Sequence, residues 1–471
     1  GSGYWELTGG EYAQLGSTRW AANADSVDGI FAQYGGRAEF AAQGEGKVWW
    51  FGGGRNSVTD RNLSARALYV NRKGVGYVSD CALQTCWVSP YGMADFVVDG
   101  MEASLEFASG CTVECNGTTG SHTAFTLNDG DTLITAKPIQ QRYTSSTARE
   151  LVVNANGGVI RTTADLNLLG PAVGDIRTAD RVVVYEKGIT FDTNGKTVSI
   201  YAPIVKPTGY GIKSVKLASW VNELAGLVGA PGLNVYDGVG HDATLVAEFD
   251  SMRNCVTNIR VACSGFGYTS APPQIDLRYA NNRYASTASK SPFGAIEMYE
   301  PQGGPLVKVG EGTLVLGTAN TYAGSTVVSN GTLRLAAANA LPANTALELA
   351  GGTLDLNGNM ATISSMKLAG GKLMGAPVGF VGPADYTFDI LAPQTVVFTE
   401  KVVFPPNARV MVLNADKADP EKKYRLMEFK AGYEGPKPAL VGFEGVDPEW
   451  HLVCGASLHL SVVRGLCIKV R

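Results

Sequence analysis

The chain has few charges, few histidines and no long apolar run. Of its 471 residues only 17% are charged and four are histidine, and the formal net charge is −4. A chain with no excess of basic residues has no broad positive field for a phosphate backbone, so the sequence predicts no nucleic-acid partner. Because no run of about 18 apolar residues is present, we also predict no transmembrane segment.

Sequence patterns of catalysis and metal binding are equally scarce. No Gly-x-Ser-x-Gly elbow and no Gly-rich phosphate loop occurs in a strand-to-helix setting. The acidic turns at 128–131 and 192–195 lack the later Glu that completes a calcium loop. The four histidines are scattered, so none favours a zinc site. The sequence therefore predicts no metal and no cofactor, and it identifies no catalytic residue.

The cysteines occur as close couples. The four couples are Cys81 with Cys86, Cys111 with Cys115, Cys255 with Cys263, and Cys454 with Cys467. An even, locally grouped set is typical of disulfides formed outside the cytosol. Stacked coils would also allow bonds between the first two couples, whose corresponding members are 30 and 29 positions apart. Zinc binding is the alternative, but no Cys-x-x-Cys pair supports it. All eight are disulfide candidates, with the connectivity left open.

Glycine is abundant, with 58 residues, and the clearest pattern in the chain is a glycine-led repeat. Gly-Thr-Leu or a close variant starts at steps of 19, 21 and 19 residues, at Gly312, Gly331, Gly352 and Gly371. Such a period is typical of a solenoid. Since strand residues alternate between two faces, the leucines of the four copies should stack into one interior column: Leu314, Leu333, Leu354 and Leu373.

The outward positions of these copies carry complementary charges. Arg334 and Asp355 are predicted to be neighbours on adjacent coils, about 4.8 Å apart. A second column recurs after 19 residues and places Glu348 beside Lys367. No helical period of 3.6 explains either column. Both patterns therefore predict stacked β-coils.

The repeat region also resembles a known family. Residues 306–316, 320–328 and 331–335 are similar to the autotransporter-associated β-strand repeat of bacterial passenger domains, and the similarity continues to about Gly371. The resemblance implies a right-handed parallel β-helix, secreted or displayed at the cell surface, that usually acts as an adhesin or a scaffold. It supplies no catalytic residues.

The other regions are predicted to be β-rich as well, which gives an all-β solenoid. Short strand-like runs and Asn-Gly turns extend the β-helix and an amino-terminal cap over residues 4–205. Residues 206–300 resemble a small β-module of phage and bacterial surface proteins and are predicted to be an insertion. The passenger-type coils occupy 301–380. A strand-rich carboxy-terminal cap at 381–471 is predicted to cover the open end.

Aromatic and basic residues are the candidates for ligand binding. Trp49 and Trp50 are adjacent in a predicted strand, so they face opposite sides and one should be exposed. A second patch is predicted in a loop of the module and consists of Arg278, Tyr279, Arg283 and Tyr284. Exposed aromatic rings stack on sugars or anchor protein partners. The alternative is that both groups pack inside the cap and the module.

Together these features predict an extracellular or cell-surface β-helix that acts as an adhesin or scaffold and binds glycans or other surface proteins. A carbohydrate-active β-helix, such as a polysaccharide lyase or a glycosidase, is the alternative, and a purely structural spacer is a third. Paired acids for glycoside hydrolysis must lie about 5–9.5 Å apart. No such pair is identified from the sequence, so binding is favoured over catalysis.

Overall fold

The computed structural model is all-β, with long parallel sheets and almost no helix. It describes residues 3–15, 18–20, 28–41, 48–51, 66–79, 82–85, 93–100, 102–115, 120–142, 150–171, 176–177, 179–218, 229–236, 239–279, 282–283, 293–392, 394–443 and 450–462. Within these ranges the single helical element is the 3₁₀ helix Ala415–Lys417. The chain divides into two compact units. The first unit comprises Gly1–Thr190 and Val198–Gly304, and the second comprises Phe191–Thr197 and Pro305–Arg471.

Three sheets of parallel strands dominate the first unit, and the chain visits them in rotation. The first sheet contains Gly3–Leu7, Asp28–Gln33, Arg66–Asn71, Met93–Val98, His122–Asn128, Glu150–Asn156, Arg181–Val184 and Ile204–Val205. The second contains Glu11–Leu15, Arg37–Ala41, Gly74–Ser79, Ala103–Phe107, Thr132–Thr135 and Gly158–Thr162. The third contains Thr18–Trp20, Val48–Phe51, Ala82–Thr85, Thr112–Cys115 and Ile139–Arg142, with Ile176–Arg177 antiparallel at its edge. Each strand thus lies beside its counterpart from the previous turn of the chain, which is consistent with a β-helix.

Further strands lie around the points where the units divide. Leu166–Leu169 is parallel to Lys196–Ile200. Ile189–Asp192 lies beside Gly158–Thr162 in the second sheet, and the division after Thr190 falls within this strand.

The inward face of the first sheet carries a column of stacked rings. Its members are register partners on successive strands: Phe31, Tyr69, Phe96 and Phe125. All four are at most 2% exposed. Phe96 and Phe125 are stacked with ring centroids 4.9 Å apart. Because side chains alternate along a strand, one inward residue repeated at each turn is sufficient to build this continuous core.

Residues 211–299 of the first unit form antiparallel pairs instead. These pairs are Gly211–Leu217 with Phe293–Tyr299, Gly232–Tyr236 with Gln274–Tyr279, Gln274–Tyr279 with Asn282–Arg283, and Thr244–Asp250 with Cys255–Cys263. They enclose an apolar cluster of their own, which includes Ile212, Leu233, Leu245, Val256 and Phe293. We call this segment the module. The predicted domain boundaries at 205, 300 and 380 stay predictions.

The module packs on the outward face of the first sheet. Val246 and Ala262 join a cluster with Leu68 and Val97 of the sheet. A second cluster brings Cys263 against outward residues of the sheet, namely Val152, Val183 and Tyr185. Outward residues of a coil ordinarily face water. The module therefore buries side chains that strand alternation alone would leave exposed.

Two parallel sheets of the second unit carry the glycine-led repeat. One contains Leu306–Val309, Thr326–Val328, Thr345–Leu349, Ile363–Leu368, Asp385–Asp389, Arg409–Leu413 and Ala439–Val441. The other contains Gly312–Leu316, Thr332–Leu335, Thr353–Asp355, Gly371–Met374, Val396–Phe398 and Tyr424–Phe429. A short parallel pair joins Val402–Val403 to Tyr433–Glu434.

The predicted leucine column is confirmed. Leu314, Leu333, Leu354 and Leu373 are register partners on four adjacent strands, and each is at most 1% exposed.

Both predicted charge pairs are confirmed as well. Arg334 Nε lies 2.8 Å from Asp355 Oδ2, and Lys367 Nζ lies 2.8 Å from Glu348 Oε1. The alternation read from the repeat therefore assigns the correct face to each of these residues.

The leading glycine of the repeat is required by close backbone approach. Gly331 and Gly371 have positive φ angles of 63° and 98°. A Cβ at Gly331 would lie 2.4 Å from the carbonyl oxygen of Gly312, and one at Gly371 would lie 2.2 Å from that of Gly352. Any other residue would force adjacent coils apart, because real Cβ atoms do not approach an oxygen so closely.

The last described strands of the second unit are antiparallel. Trp450–Cys454 pairs with Ser457–Val462, which in turn pairs with Tyr424–Phe429. The direction of pairing reverses here, so the stack of parallel coils does not continue through this hairpin.

The structure contradicts one of the possible disulfides, the bond between Cys255 and Cys263. Cys255 and Cys263 stand at the two ends of one strand, and both are free thiols. Eight residues of strand span roughly 26 Å, whereas a disulfide needs Cα atoms within about 7 Å. A bond within this couple is therefore excluded.

The other couples are tested only in part. Cys81, Cys86 and Cys467 lie outside the described residues, as does the side chain of Cys115. Cys454 is a free thiol. The buried Cys111 donates a hydrogen bond to the carbonyl oxygen of Ala108.

Candidate functional site

A cleft separates part of the module from the outward face of the first sheet, within the first unit. Its volume is about 710 Å³. We call it the module cleft. Its polar lining includes Asn128, Asn154, Asn156 and Tyr185 from the sheet and Lys213, Glu248, Arg260, Cys263 and Tyr299 from the module.

Strand alternation explains why polar side chains of the sheet meet in this cleft. Thr126 and Asn128 are outward positions of one strand, since Leu127 between them is buried in the core. Asn154 and Asn156 are the outward positions of the next strand and are their register partners. Two rows of polar side chains therefore lie side by side under the module.

Asn154 is the unusual member of this group. It is 1% exposed, and neither its amide oxygen nor its amide nitrogen has a hydrogen-bond partner. By contrast, Asn128 donates to the carbonyl oxygen of Ala262 at 2.7 Å, and Asn156 accepts the backbone N–H of Lys187. A buried polar group without a partner costs about 1–3 kcal/mol, which marks Asn154 as a candidate ligand contact.

Most of the charged side chains around the cleft form ion pairs, and Glu186, which also lines the cleft, accepts the backbone N–H of Gln302. The ion pairs are Arg260 with Asp99, Lys187 with Asp129, Arg72 with Glu248, and Lys213 with Glu297. Burial, together with the nearby charge of Arg72, lowers the pKa of Arg260 to about 10, so the guanidinium remains charged at neutral pH. The cleft consequently offers hydrogen bonds but little net charge.

The thiol in the cleft is not poised to act as a nucleophile. Cys263 is buried and donates to the hydroxyl of Tyr185, with the sulfur 3.4 Å from the oxygen. Burial raises the pKa of the Cys263 thiol to about 12. Because the thiolate is the reactive form, this residue stays inert at neutral pH.

A second polar group on the same sheet face is the His122 cluster, formed by His122, Glu150, Arg181 and Asp242. His122 and Glu150 are register partners on adjacent strands, and Asp242 comes from the module. His122 Nδ1 lies 3.4 Å from Glu150 Oε2, and its Nε2 lies 3.5 Å from Asp242 Oδ1. Arg181 Nη2 contacts Asp242 Oδ2 at 3.2 Å and Glu150 Oε1 at 3.5 Å. The cluster thus ties the module to the sheet.

The donor atoms of the His122 cluster are close enough to test for a metal site. One ligand atom each from His122, Glu150 and Asp242 lies within 4.8 Å of the others. However, the Arg181 guanidinium already contacts both carboxylates and supplies the positive charge that a cation would bring. The arrangement fits a charge-balanced ion-pair network better than a metal centre.

Catalysis at the His122 cluster is disfavoured by space and by protonation. The adjoining cavity has a volume of about 60 Å³, far below the roughly 300–1,000 Å³ of ligand pockets. The hydrogen bond to His122, together with the charges of His122 and Arg181, lowers the pKa of Glu150 to about 2 despite its burial. Glu150 therefore stays ionised and cannot serve as a general acid.

The stabilisation that the His122 cluster gives to the folded protein should depend on pH. Burial alone would lower the pKa of His122, but the hydrogen bond to Glu150 and the charges of Asp242 and Asp95 raise it above 6.5. The contribution of protonated His122 to the stability of the fold is therefore fully present below about pH 6.5, and it is lost as pH rises through the folded-state pKa of His122. Glu150 contributes above about pH 4.5, and that contribution is lost as pH falls toward 2.

We expect His122→Gln to destabilise the first unit more at about pH 5.5 than at about pH 8.5. Urea unfolding of parent and variant at each pH measures this difference, and subtracting the two removes the contribution of all other titrating groups. An equal loss at both values would contradict a pKa of His122 that is raised by folding.

The binding residues predicted from sequence are placed only by their backbone. Trp49 and Trp50 lie in Val48–Phe51, where they pair with Leu83 and Gln84. Their side chains, and those of the module patch discussed next, are outside the described part of the structure.

The module patch was predicted in a loop, and this is wrong for three of its residues. Arg278 and Tyr279 end the strand Gln274–Tyr279, and Arg283 belongs to the strand Asn282–Arg283 that pairs with it. Tyr284 lies outside the described residues. A binding role for these residues stays a prediction.

Sequence reasoning missed the module cleft. The alternate polar residues at 126, 128, 154 and 156 were the available signal. That signal was not sufficient, because alternate polar residues are also the ordinary pattern of a solvated strand face.

The comparison with known families agrees with the repeat geometry. The family described as passenger-associated-transport-repeat matches residues 306–335, which contain the first two copies of the leucine column. The match supports an autotransporter passenger repeat in the second unit, and such a repeat implies a secreted or surface-exposed protein. No curated protein and no solved structure matches the chain. None of the helices in the described ranges has the length and apolar character to cross a membrane.

Proposed function

We propose that this chain is a bacterial surface passenger that folds as a right-handed parallel β-helix and works as an adhesin or scaffold. The observation that carries the proposal is the leucine column of the second unit, whose first two copies coincide with the passenger-type repeat. In this proposal the module is an insertion that supplies a ligand-binding surface, and the terminal hairpin caps the last coil.

The physical basis is the rigidity of stacked coils. Each coil of the second unit adds about 4.8 Å and joins its neighbours through backbone hydrogen bonds on two sheets. The interior leucines exclude water, and pairs such as Arg334 with Asp355 keep the outward face polar. A surface of this kind holds loops and inserted segments in fixed positions, which is what adhesion and scaffolding require.

Binding is favoured over the carbohydrate-active alternative by the chemistry of the module cleft. A glycosidase needs a protonated acid beside the ligand. Of the four described acidic residues that line the cleft, Asp99, Asp129 and Glu248 are each held by a cationic side chain. The fourth, Glu186, accepts a hydrogen bond from the backbone N–H of Gln302. These contacts engage the carboxylates within the protein, which favours binding through the neutral polar groups of the cleft.

Surface display is tested on intact cells of the bacterium that makes this protein. We expect antibodies against the chain to label unpermeabilised cells, while a periplasmic marker stays unlabelled. Labelling that requires permeabilisation would contradict surface display. Deleting the gene separates the two roles: reduced attachment of cells to glycan-coated surfaces supports an adhesin, and unchanged attachment with altered surface architecture supports a scaffold.

A further inference from the structure

We infer that the module cleft binds a neutral, hydroxyl-rich ligand of the class of a short oligosaccharide. This deepens the adhesin role proposed above and rests on it. The inference combines the size of the cleft, the unsatisfied amide of Asn154 and the balance of charge around the opening.

The size of the cleft suits such a ligand. Its volume of about 710 Å³ lies within the range of ordinary ligand pockets, about 300–1,000 Å³. The sheet forms one wall and the module the other, so a bound molecule would contact both.

Asn154 supplies the specific polar contact. Its side-chain amide offers two donors and an oxygen acceptor, and none of them is used within the protein. A sugar hydroxyl both donates and accepts hydrogen bonds, so two adjacent hydroxyls can satisfy the oxygen and the nitrogen together. The register partner Thr126 presents a third hydrogen-bonding group beside it.

The charge around the cleft selects a neutral ligand. An anionic ligand would approach the carboxylates of Asp99, Asp129 and Glu248, and the cations that could attract it are already engaged by them. A cationic ligand would have to displace Arg260 or Lys187 from the same pairs, or the backbone N–H of Gln302 from Glu186. A neutral ligand meets neither cost, and the ring of Tyr299 in the lining offers an apolar surface to a sugar face.

The test uses the full chain and defined probes. Isothermal titration with the neutral trisaccharides maltotriose, cellotriose, chitotriose and mannotriose should detect binding of at least one, and trigalacturonate serves as the acidic comparison. Asn154→Leu should weaken that binding at least about tenfold, because it removes the hydrogen bonds at nearly constant volume. The same substitution should raise the urea midpoint of the first unit, since it replaces an unsatisfied buried amide by an apolar group.

The matched control is a buried asparagine whose amide is satisfied. Asn320 of the second unit donates to the carbonyl oxygens of Ala340 and Thr318, at 2.7 and 3.1 Å. Asn320→Leu should lower the urea midpoint of its unit and leave trisaccharide binding unchanged. Opposite effects of the same chemical change on stability would show that Asn154 is kept for binding.

Three results would overturn the inference: no neutral trisaccharide binds, only trigalacturonate binds, or Asn154→Leu binds as tightly as the parent chain. A fall in stability for Asn154→Leu would also overturn it, because it would mean that the amide has partners within the fold. None of these results bears on labelling of intact cells, so failure of the ligand site and failure of surface display remain distinguishable.

Discussion

Replacing Asp95 with alanine should lower the free energy of unfolding of the first unit by about 3–5 kcal/mol, because it removes the carboxylate that neutralises a buried guanidinium. Arg66 Nη2 lies 2.7 Å from Asp95 Oδ2, and each side chain is 3% exposed. Arg66 also donates to the carbonyl oxygen of Leu233 in the module. The lost charge therefore weakens the contact between sheet and module as well as the sheet itself.

Urea unfolding followed by tryptophan fluorescence measures this loss, since six of the seven tryptophans fall within the sequence of the first unit. The exposed pair of Lys73 with Glu102 provides the control. Glu102→Ala should change stability by less than about 1 kcal/mol. The double variant Arg66→Met with Asp95→Leu should recover most of the loss, because a well-packed apolar pair replaces the buried ions. A loss for Asp95→Ala no larger than that for Glu102→Ala would refute the buried pair.

The repeat of the second unit could be predicted because its determinants are local. Each coil starts with a glycine, carries an alternating Leu and recurs after 19–21 residues. These three features together predict which face of the strand a residue occupies, its register and its neighbour on the adjacent coil. Leu333 faces the core and Arg334 faces Asp355 for the same reason, which is that strand side chains alternate. No distant part of the chain is needed to settle either position.

The site in the first unit could not be predicted in this way. Successive strands of the first sheet are separated by 27 to 29 residues in the register of Arg66, Met93, His122 and Glu150, and no motif recurs with them. Alternation correctly assigns Asp95 and Asn154 to the outward face. It cannot tell that a module beginning only at Gly211 covers that face and converts solvated polar residues into buried ones.

The cysteine couples also show what local sequence patterns cannot predict. Cys255 and Cys263 are close in sequence, and closeness in sequence means closeness in space only where the chain turns. Their segment is a continuous strand, so the two thiols lie at opposite ends of it. The most buried residues between the two cysteines, Val256, Ile259 and Ala262, recur every third position, so this strand lacks the period of two that would indicate it from sequence.

Truncating the leucine column should have the largest effect in the second unit. Leu354→Ala is expected to lower the free energy of unfolding by about 2–5 kcal/mol, because the side chain is fully buried between its register partners Leu333 and Leu373 and the rigid coils cannot close the cavity. Hydrogen–deuterium exchange of peptides from 326–374 should show faster exchange on the coils to both sides, because each coil is stabilised by its neighbours. Lys367→Ala, on the outward side of the same repeat, should cost less than about 1 kcal/mol, because its pair with Glu348 is solvent-accessible. If both variants exchanged alike, the leucines would not form the core of the repeat, and the passenger-type coil proposed for this chain would lose its structural basis.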